Sequence, residues 1–289
     1  MVSAEPLLPY LEVPELVLVE PGSFGWGMPP AALALKPFGM LVATGVVLGV
    51  VLTLRQGRRL GFDPRALTSF IAYVVITAFV CGHVLHAIAY EPHRVVSDPL
   101  VLLRPWDGLS SLGGFFGAIL GGAWWSWRTG SPLLPYGDVL ASSFPAAWVF
   151  GRAGCSLAHD HPGIPSDLWF AVRFPGGGRL DLGLCELVLT IPLAVAFLLL
   201  RRRPRPWGFY CSGMVIAYAP TRFALDFLRA REPGVDAWVV DPRYGGLTPA
   251  QWGCLALLGL SVPLFWRALG RAGTREAVAP PLPSSGSSI

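Results

Sequence analysis

The sequence predicts an all-α, polytopic bundle of about seven transmembrane helices, with the N-terminus outside and the C-terminus cytoplasmic. Three observations carry this. Hydrophobic residues make up 53% of the chain and charged residues only 14%, where a soluble domain carries about 25% charged. Apolar runs close to the roughly 20 residues that a helix needs to cross a bilayer recur along the chain. Arginines crowd alternate connections between those runs.

The runs cover 37–54, 68–90, 109–127, 138–157, 183–200, 207–228 and 251–266. In lipid every backbone polar group must be satisfied internally, so only helices and closed barrels span. Uninterrupted apolar runs without alternation select the helix. Arg55, Arg58, Arg59 and Arg65 follow the first run, Arg128 the third, Arg201, Arg202, Arg203 and Arg205 the fifth, and Arg267, Arg271 and Arg275 the seventh. The positive-inside rule makes these connections cytoplasmic.

Residues 1–35 read as an extracytoplasmic arm. It is acidic (Glu5, Glu12, Glu15, Glu20) and lacks the basic start and apolar core of a signal peptide. Residues 36–270 form the membrane domain. Residues 271–289, ending APPLPSSGSSI, read as a disordered cytoplasmic tail. Cys81, Cys155, Cys185, Cys211 and Cys254 make no C-x-x-C pair and read as small buried hydrophobes. A formal net charge of +4 gives no nucleic-acid footprint.

Function is sought where polar groups stand in apolar surroundings. Tyr218, Arg222, Asp226 and Arg229 fall within an arc of roughly 80° on one helical face at about 100° per residue. A charge inside a span costs about 2.5–3.5 kcal/mol on insertion scales. Asp226 can pair with either arginine, which leaves one positive charge over. A structural ion-pair network is one reading; an anionic ligand is the other. Arg152 ends the fourth run, with no carboxylate within four residues and glycines at 151 and 154. It either snorkels at the membrane edge or offers a planar fork to a phosphate. Glu186 opens the fifth run and needs a partner, with Arg152 and Arg179 as candidates.

His159-Asp160-His161 follows Arg152. It suits general acid–base chemistry; a solvated loop is the plain alternative. A metal is disfavoured, because no third ligand is apparent. His83, His86 and Tyr90 share one face of the second run and read as a polar contact between helices. Gly113 and Gly114 open the third run and read as tight helix packing or a lipid-binding groove. No metal and no cofactor are expected.

These blocks, in order, resemble the prolipoprotein diacylglyceryl transferase family over roughly residues 36–266. Lys36 to Met40 resembles the start of the family's first span, and Cys81-Gly82-His83 through Tyr90 its G-A-R-x-x-Y. Trp106-Asp107-Gly108 followed by Ser110 to Gly114 resembles W-D-G-G-x-S-x-H-G-G. Asp138 through Cys155 resembles D-x-x-A-P…G-R-x-G-N, and Asp160 with Gly163 matches E-x-x-G. Asp181 through Glu186 is similar to the stretch ending Q-L-Y-E. Tyr218, Arg222, Phe223, Asp226, Phe227 and Arg229 match Y…R-F-x-x-E-F-x-R, and Gly246 to Gln251 matches G-L-T-x-x-Q.

The resemblance implies a multi-pass transferase of the bacterial plasma membrane. Its donor is phosphatidylglycerol in the bilayer. Its acceptor is the lipobox cysteine of a prolipoprotein. It implies that Arg152 and Arg222 hold the departing phosphate, while Arg229, Asp226, Asp160, Tyr218 and Glu186 order those arginines or the head group. The sequence also departs from the pattern. Leu112 stands where the family has histidine, Cys155 where it has asparagine, His83 for arginine and Phe38 for tyrosine, and aspartates at 160 and 226 replace glutamates. The acceptor thiol has a reference pKa near 8.5 and needs activation. His159, His161 and His83 are the local candidates for that task. A paralogue with another donor or acceptor, and a non-catalytic lipid-binding protein, are the competing readings.

Overall fold

The computed structural model describes residues 8–19, 33–104, 108–232 and 240–271. Trp106, Asp107, Glu5, Glu20 and residues 272–289 of the expected tail lie outside them. The chain is mostly helical. In order, the elements are strands β1 (Leu16–Val19) and β2 (Leu33–Leu35), then helices α1 (Pro37–Arg59), α2 (Pro64–Tyr90) and α3 (Pro92–Ser97). After a 3-10 turn at Pro99–Leu103 come α4 (Ser111–Thr129), α5 (Leu133–Ala141) and α6 (Phe144–Ala158). Strands β3 (Pro162–Pro165), β4 (Val172–Phe174) and β5 (Gly177–Asp181) precede α7 (Leu182–Leu200) and α8 (Phe209–Leu225). A 3-10 turn at Asp226–Leu228 and α9 (Pro249–Gly270) complete the chain.

Each of the seven apolar runs is helical. Four of the helices, α1, α2, α7 and α9, are long and apolar enough to cross a membrane. The others fall short for visible reasons. The fourth run is broken at Ser142-Ser143 into α5 and α6, so that α6 has only 15 residues. α8 stops after 17 residues, and α4 is diluted by glycine and tryptophan. α2 begins at a proline, with Asp63 accepting from the Arg65 and Ala66 N–H groups. α9 begins with a capping box between Thr248 and Gln251.

The all-α expectation needs one correction. The connection after α6 carries a three-stranded antiparallel sheet of order β3-β5-β4. Pro162 pairs with Asp181, and Val172 with Arg179. Pro175 and Gly176 make the β4–β5 turn, and Gly176 and Gly177 are both at positive φ, a conformation that glycine adopts without strain. β1 and β2 form a further antiparallel pair within the N-terminal arm.

The chain divides into two compact units. One comprises Met1–Gly49, Pro145–Val195 and Leu228–Val240; the other Val50–Phe144, Ala196–Phe227 and Asp241–Ile289. In the first, α1 meets α6 closely at Gly45, where an added Cβ would sit 2.7 Å from the Ala147 carbonyl oxygen. The second holds an aromatic-rich core of Phe62, Leu67, Phe70, Ile71, Val74, Trp125, Tyr136 and Val139. Its α2–α4 contact is equally tight. A Cβ at Gly113 would collide with the Cys81 carbonyl oxygen and stand 2.8 Å from Leu85 Cβ. At Gly114 the nearest atom would be 3.9 Å away. Of the two readings of this glycine pair, close helix packing is the one the surroundings of Gly113 support.

Candidate active site

In the first unit, Arg152 lies in the last two turns of α6 and is 3% exposed. Its Nε stands 3.1 Å from Glu186 Oε2, with the glutamate side chain wholly buried. Of the two candidate partners, Glu186 therefore pairs with Arg152. The Arg152 guanidinium lies 4.6 Å from the Trp148 ring centre, one helical turn back, and its Nη1 approaches Cys155 Sγ at 3.9 Å. A permanently charged fork is thus held in a largely apolar setting by a carboxylate and an aromatic face.

His159 follows α6 directly. Its Nδ1 is 2.6 Å from Asp181 Oδ2, while Asp181 Oδ1 accepts the Leu184 N–H at 3.0 Å. One carboxylate therefore caps α7 and orients the imidazole. The His159 side chain is 7% exposed. Tyr10 stacks on its ring at 4.1 Å and Phe174 meets it at 5.4 Å. Nε2 is buried without a hydrogen-bond partner among the described residues. His159 is also the one described non-glycine residue at positive φ, 49°, a sparsely populated conformation found at functional sites.

Asp160 and His161 turn the other way, with Asp160 Oδ1 2.7 Å from His161 Nδ1. Burial alone would raise the Asp160 carboxyl, but His161, Arg229 and Arg152 outweigh it and hold it below the usual carboxylate range. Cys155 joins this group: its sulfur, an Asp160 oxygen and a His161 nitrogen all lie within 4.8 Å of one another. The sequence gives no sign of this proximity, which the turn after α6 creates. Gly163 bridges to Arg229, and the Ala230 N–H donates to the Pro162 carbonyl at 3.0 Å. A Cβ at Gly163 would stand 2.8 Å from the Leu180 carbonyl oxygen and 3.0 Å from that of Leu228.

The second unit holds Tyr218, Arg222 and Asp226. Arg222 Nη2 is 3.0 Å from Asp226 Oδ1, and both are buried. Asp226 also accepts from the Thr248 hydroxyl, and its backbone carbonyl accepts from Arg243 at 3.3 Å. The single helical face expected from Tyr218 to Arg229 does not extend that far. α8 ends at Leu225, and Arg229 lies beyond the 3-10 turn, in the first unit. Arg222 and Tyr218 line an open, largely apolar pocket with Leu112, Phe115, Gly253 and Cys254. Leu112 presses on Gly253 so closely that a Cβ there would collide with its Cδ1. His83 has both ring nitrogens on backbone carbonyls, those of Gly108 at 3.1 Å and Val101 at 3.0 Å. It anchors that connection.

A family model for prolipoprotein diacylglyceryl transferase matches residues 29–267. Relatives include proteins named phosphatidylglycerol–prolipoprotein diacylglyceryl transferase in three bacteria. The Chromohalobacter salexigens protein is 29% identical over 71% of this chain and 80% of its own length. That of Azoarcus sp. is 27% identical over 82% and 93%. That of Pseudomonas putida is 26% identical over 86% and 96%. With buried, carboxylate-held arginines at the positions the motifs single out and a family match over most of its length, this chain belongs to the prolipoprotein diacylglyceryl transferase family.

Proposed function

We infer that this chain is a phosphatidylglycerol–prolipoprotein diacylglyceryl transferase. It moves the diacylglyceryl group of phosphatidylglycerol to the lipobox cysteine thiol of a prolipoprotein. The sulfur forms a thioether bond to the glyceryl carbon that carries the phosphate. The carbon–oxygen bond to that phosphate breaks, and glycerol phosphate leaves with the electron pair. The chain acts as a multi-pass protein of the bacterial plasma membrane, with about seven spans, the N-terminus outside and the C-terminus cytoplasmic. Residues 1–35 form the outer arm, 36–270 the membrane domain and 271–289 the tail.

The observation that carries this reading is Arg152: a guanidinium 3% exposed, held by Glu186 and the Trp148 ring. A preorganised cation in a dry site stabilises charge that develops on a leaving phosphate. Arg222, set by Asp226, performs the same task on the donor, and Tyr218 and Arg229 order the head group. Gly114, where the nearest atom to an added Cβ is 3.9 Å away, lets the donor approach α4, while Gly113 holds α4 against α2. His159 supplies the proton acceptor that Leu112 cannot. Its Nδ1 is occupied by Asp181, which leaves Nε2 with its lone pair for the thiol proton. His161 and Asp160 complete the polar rim.

A second reading, a paralogue with a changed donor, is favoured by one feature: Leu112 makes the wall beside Arg222 apolar. A reconstituted assay with a lipobox peptide and one anionic phospholipid at a time tests both. Transfer is expected from phosphatidylglycerol, lost in Arg152→Ala and lowered roughly 100-fold in His159→Gln. Transfer only from another phospholipid would replace the first reading with the second. Unchanged turnover in His159→Gln would remove the histidine from the mechanism.

A further inference from the structure

The N-terminal arm reaches the His159 imidazole. Leu8 bridges in parallel to Val172 of β4, and the Arg173 N–H donates to the Leu8 carbonyl at 3.0 Å. In an extended chain, side chains two residues apart share a face. Tyr10 is two residues past Leu8 and Phe174 two past Val172, so this register sets their rings on one side. It is the side that β4 buries, where Val172 is 2% and Phe174 5% exposed. The two ring centres are 5.2 Å apart. His159 completes the cluster. Tyr10 lies face to face with the imidazole at 4.1 Å and 22°, and Phe174 meets it edge-on at 5.4 Å and 73°. The Asp181 contact at Nδ1 fixes one corner of the imidazole, about which the ring can still rock. A face-on stack stops that motion. Together the two contacts set where Nε2 points.

We propose that Tyr10 is a positioning residue for the transfer: it holds the plane of the His159 imidazole and steadies the positive charge that this ring takes on. The proposal rests on the reading of His159 as proton acceptor. The proton passes from the acceptor sulfur to Nε2. The sulfur lone pair forms the bond to the glyceryl carbon, the carbon–oxygen bond breaks, and glycerol phosphate leaves with that electron pair. The imidazolium then stands between the Asp181 carboxylate at its edge and the Tyr10 ring on its face. An aromatic face attracts a cation more than a neutral ring, so Tyr10 favours the state reached during the step over the resting one. The arm is thereby part of the catalytic apparatus, through a residue that its own pairing with β4 delivers.

Tyr10→Ala removes the face and Tyr10→Phe keeps it. In the reconstituted assay with phosphatidylglycerol and a lipobox peptide, Tyr10→Ala should lower kcat roughly 3- to 30-fold and leave the KM for phosphatidylglycerol where it was. Tyr10→Phe should stay within about twofold of the unaltered chain. A second measurement needs no turnover. In the full chain, labelled with ¹³C-histidine and held in detergent micelles, the His159 ring resonance is identified by its loss in His159→Gln. It should stand upfield under the Tyr10 ring current, move downfield in Tyr10→Ala and hold its place in Tyr10→Phe. Three results overturn the proposal and leave the transferase reading standing: full turnover in Tyr10→Ala beside a slow His159→Gln, a Tyr10→Phe chain as slow as Tyr10→Ala, or a resonance that Tyr10→Ala does not move. Full turnover in His159→Gln removes the base and the proposal with it. Failure of every phospholipid as donor to the unaltered chain sinks the transferase reading and the catalytic role together, while the resonance still reports whether Tyr10 holds the imidazole.

Discussion

Replacing Glu186 by glutamine tests how strongly the Arg152 guanidinium depends on its carboxylate. The two groups are 3.1 Å apart, with side chains 3% and 0% exposed. At an effective dielectric of about 20, unit charges at that distance attract by about 5 kcal/mol. Removing one partner of a buried pair destabilises by about 3–5 kcal/mol, because the other charge stays buried. Glutamine keeps the shape and a hydrogen-bonding oxygen, so the loss belongs near 3 kcal/mol; alanine belongs near 5. At roughly 2–4 °C per kcal/mol for a chain of this size, Glu186→Gln should lower the melting temperature in detergent by about 6–12 °C. Thermal unfolding followed by tryptophan fluorescence measures it. The double variant Arg152→Met with Glu186→Met should melt above the value that the single variants add up to, since no charge is left buried. A Glu186→Gln chain melting within about 2 °C of the unaltered one, or strict additivity within about 0.5 kcal/mol, would refute the argument.

Two further outcomes follow from packing and from charge. Gly113→Ala should cost about 1–3 kcal/mol of stability by forcing α4 away from α2, whereas Gly114→Ala, with 3.9 Å of room, should melt close to the unaltered chain; equal losses would contradict the packing described at Gly113. Reporter fusions after Arg203 and after Gly234 should report opposite faces of the membrane. Both on one face would discard the seven-span topology.

The helices were legible because apolar runs of membrane length leave few alternatives, and Pro64 and the Thr248–Gln251 cap mark starts that can be read in the chain. The break at Ser142-Ser143 was signalled by the serine pair and by Pro145, two residues on, but the apolar residues on either side let the stretch read as one span. The small sheet was missed because β4 has only three residues, too few for alternation to register. Its local sign was the Pro175-Gly176 turn. Arg229 was placed on a helical face that stops four residues earlier, since nothing in the run beyond Leu225 forbids helix. At the site, the Arg152–Glu186 pair was one of two pairings the sequence allowed. The His159–Asp181 contact joins residues 22 apart across the sheet, and no periodicity could have joined them. That Cys155 lies beside Asp160 and His161 was not legible, because an isolated cysteine in an apolar helix ordinarily serves only to pack.

The contact between Leu112 and Gly253 couples the two positions in any change of this wall. A Cβ at 253 would stand 3.2 Å from the Leu112 Cγ and closer still to its Cδ1. The obstruction is the end of a flexible side chain at the edge of an open pocket, so a larger residue at 253 is admitted once that leucine turns or is shortened. Substitutions at 253 therefore carry a cost in the leucine background that a smaller residue at 112 removes, and the two positions act non-additively. A library that varies 112 and 253 together should return combinations that neither position yields alone.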